Sequence, residues 1–290
     1  MGELRIGDIV ARKSYGFDIL FKITDIKKVG NENIVVLKGI SYRIEADAPE
    51  GDLMVQPEQK VSEHNIAMSR MMDRKCRSME AFNSSSRSKK ALFRNTSKEK
   101  TEKFFRPGKI LHIDGDNDYL NTCLEQYRKL DMEAVGVHIP EKEQAVSIRK
   151  LLQEHKPDIL VLTGHDGMLK GDTKYLSLEN YRNSKYFIDA VKEARKYDGN
   201  LDSLVIFAGA CQSLYKGILE AGANFASAPY RVLIHALDPV LVCRKIAFTS
   251  IDETVDPREV IEATITGYEG IGGIQTRGKY RGGYPLEPYK

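Results

Sequence analysis

Apolar positions change their rhythm twice along this chain. Over residues 1–57 they alternate in short runs, LRIGDIVARK, DILFKITDI, NIVVLKGI, YRIEA and DLMVQ, with turn formers at Tyr15-Gly16, Gly30-Asn31 and Pro49-Glu50-Gly51 between them. Short strands punctuated in this way predict a small β-barrel of SH3-like size. Residues 58–107 read differently. Ile66, Met68, Met71, Met72, Met79 and Phe82 follow helical spacing over 61–82, and NSSSRSKKALFRNTSKEKTEKFFRP follows. That serine- and lysine-rich stretch has little to bury and reads as a mobile basic linker closed by Pro107-Gly108. From residue 109 strand patterns (KILHID, AVGVHI, DILVLTG, SLVIFAG) alternate with helical ones over 118–130, 141–154, 184–196 and 212–221. A short strand near 224–228 and helices over 234–245 and from Asp256-Pro257 complete the series. Continuous β-branched runs are strands buried on both faces, so residues 108–290 predict an α/β domain with a parallel sheet and helices on both faces. The glycine-rich tail GYEGIGGIQTRGKYRGGYP lacks the preceding strand and the spacing of a dinucleotide fingerprint.

Composition alters this picture in two places. With 41% hydrophobic and 29% charged residues, the 290-residue chain has the balance of a soluble protein with a real core. It shows no charged-then-apolar leader and no apolar run near 18 residues, so neither a cleaved signal nor membrane insertion is expected. The net charge of +3 conceals a segregation. Residues 58–107 hold 13 Lys/Arg against 6 Asp/Glu, and the remainder holds 31 against 35. The four cysteines (Cys76, Cys123, Cys211, Cys243) are far apart and form no CxxC pair, which argues against a disulfide framework or a zinc site and fits a reducing cytoplasm. No metal cluster or phosphate loop is evident, and no cofactor is expected.

Chemistry concentrates at two strand ends 46 residues apart, DILVLTGHDG with His165 and SLVIFAGACQS with Cys211. Catalytic groups of open α/β sheets gather at the carboxyl ends of strands. A helix starting at about Gln212 sets partial positive charge beside the Cys211 sulfur and favours thiolate, and Ala208, Gly209 and Ala210 let a substrate backbone approach. His165 is placed to act as base and then as acid to the leaving amine, with the amides of Gly167, Asp166 or Cys211 receiving the oxyanion. Asp114 and Asp116, in HIDGD at the end of the first strand of this domain, are placed to grip a substrate arginine; Asp166, Asp172 and Asp238 are alternative acidic contributors. Read as turn formers alone, Asp114–Asn117 would carry no such role.

An apolar strand ending in His-Gly and a second ending in Ala-Cys resemble the caspase, gingipain, clostripain and legumain group of cysteine peptidases. Ala210-Cys211 matches that pattern; His165-Asp166-Gly167 departs from it by one inserted residue. More specifically, IGDIVARKSYG, LHIDGD, VLTGHDG, FAGACQS and NFASAPYR resemble the YabG family of sporulation-specific peptidases over almost the full length. The resemblance implies a caspase-like fold, a thiol protease, cleavage beside basic residues with arginine preferred, and spore proteins as substrates in an endospore-forming bacterium. Such an enzyme carries possible targets in its own basic segment, at Arg70, Arg74, Arg77, Arg87, Arg94 and Arg106.

Two other readings are open to the same residues. In an amidotransferase-like hydrolase the base follows the cysteine, which makes His235 the partner of Cys211; GACQS, however, is not the usual GxCxG turn. In a nucleic-acid-binding or scaffold protein the barrel and basic segment bind, with Phe82, Phe93, Phe104 and Phe105 interleaved among basic residues for stacking. A charge run is more often a solvated face, and nucleic acid is not the expected partner.

Overall fold

The computed structural model describes residues 4–30, 32–91, 104–169 and 177–285, of which 80–91 by backbone alone. The chain divides into two compact units, Met1–Arg74 and Lys75–Lys290.

In the first unit, β1 (Ile9–Arg12), β2 (Phe21–Val29), β3 (Glu32–Gly39), β4 (Glu45–Pro49) and β5 (Leu53–Val55) form an antiparallel sheet of order β4-β3-β2-β1-β5. Because β1 pairs with both β2 and β5, the last strand returns to the first, as in a sheet of SH3-like type. The alternation in the sequence is what puts Val10, Phe21, Ile23, Val35, Leu37 and Leu53 on one inner face. Helix α1 (Glu58–Ala91) follows and is longer than the predicted 61–82. Residues 92–103, the centre of the predicted linker, lie outside the described residues.

The second unit continues with β6 (Phe104–Arg106), β7 (Ile110–Asp114), α2 (Asn117–Lys129), β8 (Ala134–His138), α3 (Glu141–His155), β9 (Ile159–Thr163), α4 (Ser184–Tyr197), β10 (Val205–Ala208), α5 (Tyr215–Glu220), β11 (Phe225–Ser227), α6 (Asp238–Ala247), β12 (Thr254–Val255), α7 (Pro257–Ala263), β13 (Ile271–Gly273), β14 (Thr276–Arg277) and β15 (Arg281–Gly283). Its main sheet has the order β13-β11-β10-β9-β7-β8, parallel from β8 to β11 and closed at one edge by antiparallel β13. Every residue of β7, β9 and β10 is buried.

Period-two alternation sorts those residues between two helical layers. Leu111, Ile113, Leu160, Leu162, Ile206 and Ala208 pack with Ile148 and Leu152 of α3, Phe187 and Val191 of α4 and Ile218 of α5. On the other face α2 packs against α6, and Tyr127 of α2 reaches His112 of β7. Complete burial of one such aliphatic side chain contributes roughly 1.5–3 kcal/mol, so the two layers carry most of this unit's stability. The chain passes from β7 outward to β8, then crosses back over β7 to β9, so the strand order reverses between β7 and β9. A crevice opens beyond the carboxyl ends of strands at such a reversal.

Two local predictions need correction. The helix expected from 212 begins at Tyr215, because Gln212 takes a left-handed conformation (φ 58°) and Ser213 Oγ accepts the Ala210 N–H at 2.9 Å, which makes a turn. The helix expected over 234–245 begins at Asp238, whose carboxylate receives the His235 N–H, with Pro239 in the first turn where its missing N–H is harmless. The glycine-rich tail, for which the pattern predicts no element, supplies β13 to the main sheet and β15 as partner of β6. Strands of two or three residues are too short to register as alternation.

Candidate functional site

The carboxyl ends of β7, β9 and β10 lie level with one another: Asp114 is opposite Thr163, Leu162 is opposite Ala208, and the Gly209 N–H donates to Leu162 O at 3.0 Å. This register carries Asp116, His165 and Cys211 to the same edge of the sheet.

Asp116 is the N-cap of α2. Its Oδ1 accepts the N–H groups of Asp118 (2.9 Å) and Tyr119 (3.1 Å), and its Oδ2 lies 2.7 Å from His165 Nε2. One carboxylate therefore starts a helix and orients a histidine. The sequence offered Asp116 as a substrate contact, and the signal for its actual place was the Asp-Asn-Asp start of α2, an N-cap ahead of an acidic first turn. The His165 backbone is held at both ends: its N–H donates to Glu141 Oε1 at 2.7 Å, and its C=O accepts from Asn183 Nδ2 at 2.8 Å. Glu141, the first residue of α3, lies so close over Gly164 that a β-carbon there would collide with its carboxylate. Neither Glu141 nor Asn183 stood out in the sequence, since each contributes through position and not through a motif. The His165 ring is largely buried and tilts against Tyr119.

Asp114 is wholly buried and internal. Its Oδ2 accepts from Thr163 Oγ1 at 2.8 Å and lies 3.4 Å from His112 Nε2, while its Oδ1 accepts the Asp116 N–H at 2.9 Å. His112 is in turn 2.7 Å from Thr163 Oγ1 and 3.2 Å from Tyr127 Oη. This buried network fixes the turn that presents Asp116, and it leaves Asp114 without the exposure that a grip on a substrate side chain needs.

Cys211 follows β10 in the turn before α5. It is buried, the Ile234 N–H donates to its Sγ at 3.2 Å, and Sγ is 3.9 Å from Ile234 O. With α5 six residues long and starting at Tyr215, a helix terminus does not adjoin the sulfur as expected. The Ile234 N–H is a polar hydrogen pointed at it. Cys123 and Cys243 are also buried, and burial pushes the Cys243 thiol up to about 12.

Asp166 joins the two turns. Its carboxylate accepts from Gly167 N and Asn183 N (both 2.8 Å), Ser184 Oγ (2.5 Å) and Ser213 Oγ (2.9 Å). Of the three amides expected to supply the oxyanion donor, that of Gly167 already gives its N–H to Asp166. His235, the rival base, accepts the Leu237 N–H on Nδ1 at 3.1 Å and gives its own backbone N–H to Asp238 and Thr266, so it belongs to the turn leading into α6. Asp238 is fully buried and its carboxyl is raised by that burial; Asp172 lies outside the described residues.

Gly209 is required where it stands. At φ 111° it turns the chain from β10 toward Cys211, and a β-carbon would collide with Ser227 Oγ, which itself donates to Ala210 O at 2.8 Å. We expect Gly209→Ala to destabilise the protein by about 1–3 kcal/mol. Urea denaturation measures this, and an unchanged midpoint would show that the turn tolerates a side chain.

Fold and site define a class: an α/β protein whose histidine–aspartate pair and cysteine turn are assembled on adjoining strands at the carboxyl edge of a parallel sheet. Comparison with known proteins supplies the family. The chain belongs to the YabG peptidase family, since the family model described as YabG peptidase U57 matches residues 5–285. The sporulation-specific protease YabG of Bacillus subtilis (strain 168) is 43% identical over 290 residues, covering 98% of this chain and 99% of that protein. No solved structure matches. The chain is a peptidase of a family that acts in sporulation, and no described helix is long and apolar enough to cross a membrane.

Proposed function

We propose that this peptidase is a cysteine endopeptidase in which Cys211 is the nucleophile and His165 the base, that it cuts spore proteins beside basic residues, arginine preferred, and that it works in the reducing interior of the sporulating cell. The observation that carries the reading is the 2.7 Å Asp116–His165 pair at the end of β9, next to the strand β10 that leads into the Cys211 turn. A carboxylate that accepts from Nε2 fixes the proton on that nitrogen and leaves Nδ1 basic. Nδ1 takes the thiol proton, the sulfur attacks the scissile carbonyl carbon, and the amine leaves with the proton that the imidazolium returns. Water then hydrolyses the thioester. The Asp166 backbone N–H serves as an oxyanion donor; of the three expected amides, that of Gly167 is already engaged.

The arginine preference and the spore-protein substrates rest on family resemblance. An arginyl chloromethyl ketone tests the catalytic type and the preference together. It is expected to inactivate the enzyme with one equivalent attached to Cys211, and far faster than an alanyl analogue. Inactivation that leaves Cys211 unmodified, or equal rates for the two reagents, would overturn the corresponding half of the reading.

Self-processing between residues 70 and 106 belongs to the same proposal. Arg70, Arg74, Arg77 and Arg87 lie in α1 and Arg106 in β6, where backbone hydrogen bonds must open before a cleft can take the chain in extended form. Arg94 lies outside the described residues.

A further inference from the structure

We propose that Asp166 is a positioning residue for the Cys211–His165 pair, acting through the hydroxyls of Ser213 and Ser184; the inference rests on the cysteine-peptidase reading above. An ionised carboxylate offers about four lone-pair sites. Here all four are filled, by Gly167 N–H and Asn183 N–H on Oδ1 and by the Ser184 and Ser213 hydroxyls on Oδ2. Each serine has a single hydroxyl hydrogen. Giving it to Asp166 turns the oxygen lone pairs away, toward two backbone amides: the Ala210 N–H donates to Ser213 Oγ at 2.9 Å, and the Leu214 N–H to Ser184 Oγ at 2.8 Å.

Those amides bracket the Cys211 turn, whose Gln212 stands in the left-handed region and needs its surroundings to hold it. On the other side, Asp166 is bonded to His165 in the chain. Its Oδ1 fixes Asn183 N, and Asn183 Nδ2 holds the His165 carbonyl. One side chain therefore sets the direction of every polar link between the histidine turn and the cysteine turn described here. Burial pushes the Asp166 carboxyl above its ordinary value, and the four donors oppose that shift. A carboxylic acid could not accept all four, because its own proton would occupy a lone-pair site. None of this chemistry is needed to fold a parallel sheet, and the residue is the single one that separates His165 from Gly167.

The test compares kcat and KM for Asp166→Asn, Ser213→Ala and the double variant on an arginyl peptide, with Cys211→Ala alongside. Asparagine keeps the size of the side chain, and the fixed Gly167 and Asn183 N–H groups keep its oxygen at the Oδ1 position, so its NH2 faces both serine hydroxyls and both must reorient. We expect kcat to fall about 100-fold, the scale of a misplaced reacting group, with KM changed less than about threefold. The double variant is expected to be about as slow as the slower single variant, because both break one chain of contacts. A residue that only stabilised the fold would lower melting temperature with kcat intact below the transition, and that result overturns the proposal, as do losses that multiply. Should Asp166→Asn fail to fold, Ser213→Ala and Ser184→Ala decide. A fall in kcat of about tenfold or more at steady KM in both supports the proposal, and near-normal kcat in both overturns it. If Cys211→Ala retains hydrolysis, the cysteine-peptidase reading fails, whatever the Asp166 result.

Discussion

Cys211→Ala should leave a folded protein that hydrolyses arginyl peptides at least about four orders of magnitude more slowly than the wild type. The expected loss is this large because no second group within the proposed machinery supplies the attacking atom. His165 without a thiol can activate only water, and oxyanion donors alone give a small residual rate. The fold survives because the turn is built from backbone and serine contacts. Ser213 holds Ala210 N–H, Ser227 holds Ala210 O, and the Gln212 N–H reaches Val232 O at 3.4 Å; none of these uses the sulfur. Alanine removes the contact of Sγ with Ile234, at a cost of about 1 kcal/mol. The same variant reports on self-processing. Wild-type protein is expected to release a fragment ending between residues 70 and 106, and the alanine variant to remain full length. Retained hydrolysis by Cys211→Ala would remove the nucleophile from this account. Full-length wild-type protein that still cuts arginyl peptides would remove self-processing alone.

The sequence carries the larger elements clearly and the site only in part, for one physical reason. Burial on both faces writes itself into the chain as continuous runs such as Ile159–Thr163 and Val205–Ala208, so β9 and β10 and the groups at their ends could be read directly. Helices α2, α3 and α4 declare themselves by period and lie within a residue of the predicted bounds. What the pattern does not carry is pairing between distant residues. That Asp116 faces His165, 49 positions away, depends on β7 and β9 being neighbours although β8 lies between them in sequence. Composition places an aspartate at a turn; only the strand order gives it a partner. Gln212 gives the converse case. A glutamine after Ala-Cys looks like a helix start, yet the serine next to it accepts an N–H from behind and forces one left-handed residue before α5 can begin.

Electrostatically the site is built from neutral donors around few charges. Asp166 and Asp238 are both raised by burial, and both are surrounded by backbone and hydroxyl donors with no cation among the groups that shift them. For such a group the folded protein binds protons more tightly than the unfolded chain does. The stability it contributes is therefore fully present below the ordinary carboxylate value and is lost as pH rises through the raised one.

Asp116→Asn separates the two duties of that side chain, and it should cost about three to four orders of magnitude in kcat/KM while the fold persists. Asparagine caps helices as well as aspartate does, so α2 keeps its start. The cap also dictates which way the amide points. The Asp118 and Tyr119 N–H groups require an oxygen at the Oδ1 position, which turns the NH2 toward His165 Nε2. Two donors cannot face each other, so Nε2 must become the acceptor and the ring proton moves to Nδ1, the nitrogen assigned to take the thiol proton. Asp116→Ala should behave differently: it loses the cap as well, at about 1 kcal/mol of stability, and is no more active. Imidazole nitrogen shifts of His165 report the tautomer, urea midpoints report the cap, and arginyl and neutral peptides run side by side report the chemistry. A loss confined to arginyl peptides would restore Asp116 to the substrate-binding role suggested by the sequence. Wild-type kcat/KM in the asparagine variant would leave it a helix cap and nothing more. An equal loss on both peptides, with an unchanged urea midpoint and a shifted tautomer, is the result that the 2.7 Å pair predicts.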